Sequence, residues 1–135
     1  MMGKIKQAAN RIYHGFASTE SDDRRKDEML PPDWMFSDPD RVDGSHNVQE
    51  FISIGEDTAN WFIGSLGLAA NHRVLDVGCG IGRMARPLTR HLKDGGSYEG
   101  IEIAPYKVKY CRETIGARFS NFGFFFSTNA AIPVF

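Results

Sequence analysis

The chain has 135 residues, a formal net charge of -1, and 41% apolar and 24% charged residues. This ordinary globular composition excludes a disordered, collagen-like or fibrous chain, and the length allows one domain of roughly 100–150 residues or a smaller domain with a tail. Two cysteines are too few for a disulfide framework, and no run approaches the roughly 18 apolar residues of a membrane span. The N-terminus also lacks the apolar core of a secretory signal. We therefore expect a soluble protein in the reducing cytoplasm.

Charge is divided unevenly along the chain. Residues 1–70 contain 7 basic and 12 acidic side chains, whereas residues 71–135 contain 9 and 5. The simpler interpretation is that the halves attract each other or are each solvated; the alternative is that the basic half binds an anionic ligand. Arg83, Arg86 and Arg90 follow helical spacing, and we interpret them as a solvated helix face rather than a nucleic-acid interface.

Residues 1–46 are predicted to form an extension of helix, charged linker and proline-rich loop. Apolar residues at helical spacing predict an amphipathic helix over 4–16, and the two prolines at 31 and 32 end any helix there. The loop that follows, residues 31–46, is predicted to be anchored by Trp34, Met35 and Phe36. Its position alone makes it a candidate lid over a ligand.

A domain is predicted over residues 47–135, and it opens with a helix. Asn47 is a good N-cap, Glu50 completes a capping-box pattern, and Gly67 is a plausible C-terminal stop. Gly55 inside this helix costs about 1 kcal/mol relative to alanine. The predicted buried face consists of Val48, Phe51, Ile52, Ala59, Phe62, Ile63 and Leu66.

From residue 73 the pattern changes to short strands that alternate with helices. Strands are predicted over 73–77, 98–103 and 122–127, with one helix running to about Lys93 and another opening at Ala104-Pro105. Pro87 removes a backbone donor inside the first of these helices, so we expect a kink there. Strand, helix, strand, helix, strand is typical of a parallel α/β sheet.

The strongest motif is the glycine loop Gly78-Cys79-Gly80-Ile81-Gly82, which lies between a strand and a helix. Glycines allow the backbone to turn tightly and to approach a ligand closely, and a helix N-terminus presents N–H groups to an anion. The loop therefore predicts a phosphate or carboxylate ligand. A tight turn without a ligand is the plainer alternative.

Two carboxylates narrow the choice of ligand. Glu102 ends the second strand 20 residues after Gly82, where an acid accepts hydrogen bonds from ribose hydroxyls. Asp76 stands two residues before the first glycine, where it would repel a pyrophosphate and attract an ammonium group. Arg83 also occupies the place where a dinucleotide fingerprint has Gly or Ala. A ligand with a carboxylate, an ammonium group and a ribose fits better, and S-adenosylmethionine has all three.

The segments VLDVGCGIGR (74–83) and YEGIEIAP (98–105) resemble the first motif and the second strand of class I S-adenosylmethionine-dependent methyltransferases. The resemblance covers about residues 47–129. It implies a Rossmann-like α/β fold with flanking helices and strand order 3-2-1, with the glycines near the methionyl group, Asp76 near its amino group, Glu102 on the ribose and Ile103 on the adenine. The candidate cofactor-binding residues are Asp76, Gly78, Cys79, Gly80, Gly82, Glu102 and Ile103; no metal ligand and no catalytic residue can be named.

The resemblance also implies strands that this sequence lacks. The family sheet has seven strands in the order 3-2-1-4-5-7-6, and only the first three are predicted here. We therefore expect the N-terminal portion of a methyltransferase, whose activity needs a partner chain or a C-terminal half, with an unknown methyl acceptor and no membrane partner. Thr128 or Asn129 stands where relatives place an acid for the adenine.

Two other functions stay open at this stage. One is a non-catalytic module that binds S-adenosylmethionine or a protein partner. The other is a fragment of a nicotinamide-dependent oxidoreductase, against which Asp76 and Arg83 argue.

Overall fold

The computed structural model describes residues 28–37 and 45–128. The predicted helix over 4–16 and the candidate adenine contact Asn129 lie outside these residues. The described elements are a 3-10 turn (Asp33–Ser37), α1 (Val48–Gly64), β1 (Arg73–Val77), α2 (Ala85–Leu88), β2 (Ser97–Glu102), α3 (Pro105–Cys111), which continues into a π-helical turn (Arg112–Gly116), and β3 (Phe122–Phe126). Among the described helices, none combines the length and apolar character needed to cross a bilayer.

The three described strands form one parallel sheet with β2 in the centre, which confirms the predicted α/β fold and the order 3-2-1. The register places Val74, Tyr98 and Phe122 side by side. Because side chains alternate between the faces of a sheet, Asp76 and Glu102 lie on the same face as Tyr98. That face carries the helices, and the core contains the fully buried Tyr98.

The opposite face of the sheet exposes a group of apolar side chains. Leu75, Val77 and Phe125 are 62%, 68% and 48% exposed, and the register places Val77 and Phe125 on either side of Ile101. Parallel sheets ordinarily bury both faces. This exposed group is named the open face below.

Helix α1 begins at the predicted N-cap, but Glu50 accepts a hydrogen bond from a different residue than in a standard capping box. The Asn47 side chain accepts a hydrogen bond from the Glu50 N–H at 2.9 Å, while the Glu50 carboxylate accepts from the N–H of His46, the residue before the cap, at 2.8 Å. Leu66 is 61% exposed, so its predicted place on the buried face is wrong. The helix ends at Gly64, before Leu66 can follow the helical period.

Helix α2 is much shorter than predicted. It spans only Ala85–Leu88, so the predicted continuation to Lys93 is wrong. Pro87 has no N–H to donate to the carbonyl of Arg83, and the Thr89 hydroxyl donates to the Arg86 carbonyl at 2.7 Å. The chain continues in turns rather than in a kinked helix.

The arginines of this segment hold α2 against α1. Arg86 contacts Oε1 of Glu56 on α1 at 3.4 Å, and Arg90 contacts Oε2 of the same carboxylate at 2.5 Å. The Arg86 side chain is only 15% exposed. The predicted solvated face is therefore wrong for Arg86, which is a packing residue.

The 3-10 turn is anchored as predicted. Met35 is 3% exposed, the Phe36 ring meets the Phe51 ring at 6.0 Å between centroids, and the Trp34 ring meets the Tyr106 ring at 6.0 Å. Since Tyr106 lies in the first turn of α3, this contact brings the turn close to the carboxyl end of β2. A role as a lid stays a prediction.

Candidate cofactor-binding site

The glycine loop is fixed to the central strand at the carboxyl end of the sheet. The carbonyl of Ile101 on β2 accepts hydrogen bonds from the N–H groups of Gly78 and Cys79, at 2.7 and 3.1 Å. These two bonds extend the pairing of β1 with β2 into the loop. They place the loop where open α/β sheets bind their ligands, beyond the carboxyl ends of the strands.

The three glycines of the loop have different tasks. All have positive φ, 87° at Gly78, 56° at Gly80 and 80° at Gly82, a region that favours glycine. A Cβ at Gly82 would lie 2.8 Å from the Ile115 side chain, so Gly82 is needed for packing. A Cβ at Gly78 or Gly80 would meet no heavy atom within 4 Å, so these two backbone positions border open space.

Glu102 is buried and holds the loop to the end of β2. It is 7% exposed, and its Oε2 accepts from the N–H of Gly80 at 2.9 Å. Its Oε1 accepts from the N–H groups of Ile103 and Ala104 at 2.8 and 3.0 Å. A carboxylate offers about four acceptor positions. One position therefore remains for a ligand, although the sequence predicted hydrogen bonds to both ribose hydroxyls.

Asp76 lies on the same face and has a partner that the sequence analysis missed. Its Oδ2 accepts a hydrogen bond from the hydroxyl of Tyr98. Tyr98 is fully buried and stacks on Phe122, with ring centroids 5.3 Å apart. The two-residue period of the strands places Tyr98, Gly100 and Glu102 on one face, and this pattern could have revealed the pair.

Ile103 is 61% exposed immediately after Glu102. It therefore offers an apolar surface next to the carboxylate, and its contact with an adenine ring stays a prediction. Thr128 is exposed.

The two carboxylates and the short α2 determine which charges suit the site. Asp76 and Glu102 give this edge negative character, which favours an ammonium group and hydroxyls over a pyrophosphate. Helix α2 has four residues and begins three residues after Gly82, so its dipole adds little. The predicted attraction of an anion by this helix is therefore not supported, and the N–H groups of all three glycines in the loop already donate to acceptors within the fold.

Both cysteines are buried: Cys79 belongs to the glycine loop, and Cys111 packs against the loop from the end of α3. Cys79 and Cys111 are 5% and 0% exposed, and the Cys111 thiol donates to the Gly80 carbonyl at 3.5 Å. Cys79 also fills the space left by Gly100, where a Cβ would lie 2.7 Å from its sulfur. Cys79, which the sequence places among the candidate cofactor-binding residues, thus packs within the fold, and Cys111 is the loop contact that the sequence did not indicate.

We expect alkaline pH to destabilise this arrangement. A hydrogen bond with Cys79, together with burial, raises the pKa of the Cys111 thiol well above its ordinary value of 9.0. Its contribution to stability is complete below the pKa of the unfolded chain and is lost as pH rises towards the folded-state pKa. Urea midpoints should fall between about pH 8 and pH 10, and the fall should be smaller in Cys111→Ala; equal falls would show that this thiol is not the cause.

Comparisons with known proteins identify the fold. No family model matches the sequence. Among solved structures, the chain is similar to a protein from Methanococcus maripaludis assigned as an S-adenosylmethionine-dependent methyltransferase, with a TM-score of 0.51 and 15% identity over 64% of this chain and 39% of that one. It is also similar to coclaurine N-methyltransferase bound to N-methylheliamine and SAH, with a TM-score of 0.53 and 12% identity over 98% of this chain and 46% of that one.

A third similar structure is a protein from Galdieria sulphuraria assigned as a sarcosine dimethylglycine methyltransferase, with 27% identity, a TM-score of 0.45, and coverage of 58% of this chain and 31% of that one. The chain spans less than half the length of all three proteins. Its three parallel strands, in the order 3-2-1 with helices on one face, have the fold of the class I S-adenosylmethionine-dependent methyltransferases over that part of their length.

Proposed function

We propose that this chain binds S-adenosylmethionine and serves as the cofactor-binding part of a methyltransferase. The observation that carries the proposal is the glycine loop. Two of its glycines border open space, and the buried carboxylate of Glu102 fixes its middle N–H at the carboxyl end of a sheet with this fold.

The chemistry of the residues present fits this cofactor. Asp76 keeps one carboxylate oxygen, Oδ1, without a hydrogen bond to residues 28–37 or 45–128, so it can accept from an ammonium group. Glu102 retains one acceptor position for a ribose hydroxyl, and Ile103 offers an apolar surface to an adenine ring. Open backbone at Gly78 and Gly80 leaves room for the methionyl chain.

These residues would bind and orient the cofactor, and the cofactor itself would supply the group that reacts. When bound, S-adenosylmethionine supplies a methyl group on a positively charged sulfur, and transfer to a nucleophile is helped mainly by positioning. The negative charges of Asp76 and Glu102 together also favour this cofactor over a ligand with a pyrophosphate. The methyl acceptor stays unassigned.

We further propose that methyl transfer needs a second portion of polypeptide, either a C-terminal half or a partner chain, to supply the acceptor site. The open face, with Leu75, Val77 and Phe125 about half exposed or more, supports this proposal because exposed apolar patches commonly mark interaction surfaces. Adding the C-terminal half of a related methyltransferase should restore turnover if the chain is its cofactor-binding part. Cofactor binding without turnover would favour a non-catalytic module.

The direct test is calorimetric titration of the monodisperse chain with S-adenosylmethionine, with NAD as the competing ligand. We expect selective binding of S-adenosylmethionine. Gly80→Val should weaken it at least tenfold, because a side chain would enter the open space and positive φ costs a non-glycine residue about 1–2 kcal/mol.

Gly95→Val is the matched control. Gly95 also has positive φ, 92°, and open surroundings, but it lies before β2, at the opposite end of the strand from the loop. Both variants should lose similar stability, while only Gly80→Val should lose affinity. Preferred binding of NAD, or no binding by a folded sample, contradicts the proposal.

A further inference from the structure

Tyr98 stands out among the buried polar groups because its hydroxyl is the group that contacts Asp76. It enters the core from the start of the central strand, fully buried, with its ring stacked on Phe122 and tilted against Phe124 at 5.8 Å. Apolar contacts alone would be satisfied by phenylalanine. The hydroxyl instead reaches across to β1 and donates to Asp76 Oδ2.

The register explains how the hydroxyl gets there. Tyr98 pairs with Val74, and Asp76 pairs with Gly100, so Tyr98 and Asp76 are diagonal neighbours on one face. Such neighbours are about 7–8 Å apart between Cα atoms, within reach of a long aromatic side chain. Gly100, the partner of Asp76 in the register, has no side chain, and Cys79 and Phe124 pack where its Cβ would lie.

The contact also affects the Tyr98 hydroxyl. Burial, together with the negative charge of Asp76, raises the pKa of the Tyr98 hydroxyl far above its ordinary value, so the hydroxyl remains a donor at all physiological pH values. Asp76 therefore has one oxygen occupied by a fixed donor, and its Oδ1 has no hydrogen bond to any residue of the described ranges. The carboxylate is fixed in direction before a ligand arrives.

We propose that Tyr98 is a positioning residue that holds the Asp76 carboxylate so that its second oxygen receives the ammonium group of the bound cofactor. This inference rests on the proposed function. It adds a specific role for a residue that does not touch the ligand. An unfixed carboxylate would have to lose rotamer freedom on binding, and fixing it beforehand removes that cost.

The test compares two ligands that differ in the part Asp76 would contact. S-Adenosylhomocysteine carries the amino acid group, whereas 5′-methylthioadenosine has the same adenine, ribose and sulfur without it. In Tyr98→Phe the affinity for S-adenosylhomocysteine should fall by up to about tenfold, the size expected for immobilising one side chain on binding. The affinity for 5′-methylthioadenosine should stay within about twofold.

The outcomes separate the possible failures. An equal loss for both ligands would mean that Tyr98 has a structural role only, and no loss for either would mean that Asp76 is oriented without it; each overturns the inference. If the unaltered chain binds neither ligand, the proposed function itself fails. Phenylalanine preserves the stacked ring, and thermal melts of the variant verify that it is folded.

A double-mutant cycle supplies a second measurement. Asp76→Asn alone should weaken S-adenosylhomocysteine binding, and adding Tyr98→Phe should then have little further effect, because the carboxylate to be positioned is gone. Additive losses in the two variants would show that the residues act independently and would contradict the proposal.

Discussion

Glu102→Ala is expected to abolish measurable binding of S-adenosylmethionine and to lower the free energy of unfolding. The substitution removes the acceptor for the N–H groups of Gly80, Ile103 and Ala104 and the one acceptor position left for the ribose. A buried donor left without a partner costs about 1–3 kcal/mol. Loss of the bond to Gly80 also frees the middle of the glycine loop from β2, so affinity falls through the loop as well as through the ribose.

Glu102→Gln separates these two effects. Its amide oxygen can still accept from Ile103 and Ala104, but its NH2 group would face the N–H of Gly80 and repel it. We expect intermediate stability and affinity at least tenfold below that of the unaltered chain. Calorimetry gives the affinities, and urea unfolding gives the stabilities.

Glu99→Ala is the matched control for both variants. Glu99 lies on the same strand, but it faces the other side of the sheet, is half exposed, and reaches Arg73 only at 3.9 Å. Such exposed pairs contribute little, so this variant should bind and unfold like the unaltered chain. If Glu102→Ala retains full affinity while folded, the glycine loop does not depend on this carboxylate and the site assignment is wrong.

The strands and α3 could be predicted because the local sequence pattern there matches the secondary structure that the fold adopts. The predicted strand over 73–77 is found at the same residues, and the stripe Val108, Cys111 and Ile115 is buried to 2% or less. The stripe has the spacing of a helix face, and the strands are short runs rich in β-branched and aromatic residues that alternate with helices. The order 3-2-1 followed from the resemblance and was confirmed by the parallel pairing.

The parts that could not be predicted depend on contacts between distant residues. The sequence assigns Glu102 to a ligand, but three backbone groups compete for its oxygens, and this follows only from how the loop folds back onto β2. The sequence predicts a longer α2 than the structure has, because the connection from β1 to β2 can be made by turns as well as by a kinked helix. Asp76 was placed at the site without the tyrosine that orients it.

Gly55 also makes a contact between distant residues that the sequence does not reveal. Its substitution is the second variant for which we expect a large effect. Sequence reasoning counted this glycine as a local cost inside α1. In the fold, a Cβ at residue 55 would lie 2.5 Å from the backbone oxygen of Arg83, directly after the glycine loop. Gly55 therefore permits α1 to approach the loop segment, and the contact links the helix to the site.

Gly55→Ala is expected to destabilise the chain even though alanine is the better helix former. Overpacking against a backbone atom costs about 1–3 kcal/mol or more, which outweighs the roughly 1 kcal/mol gained in helix propensity. Gly64→Ala, at the C-terminal end of the same helix and with no atom within 4 Å of its Cβ, should be neutral or stabilising. The melting temperature should therefore fall in Gly55→Ala and not in Gly64→Ala, and about 1 kcal/mol corresponds to roughly 4–8 °C for a domain of this size. Because a shift of Arg83 away from the clash moves the end of the loop, Gly55→Ala should also weaken S-adenosylmethionine binding; equal melting temperatures in the two variants would show that α1 does not pack closely on the loop.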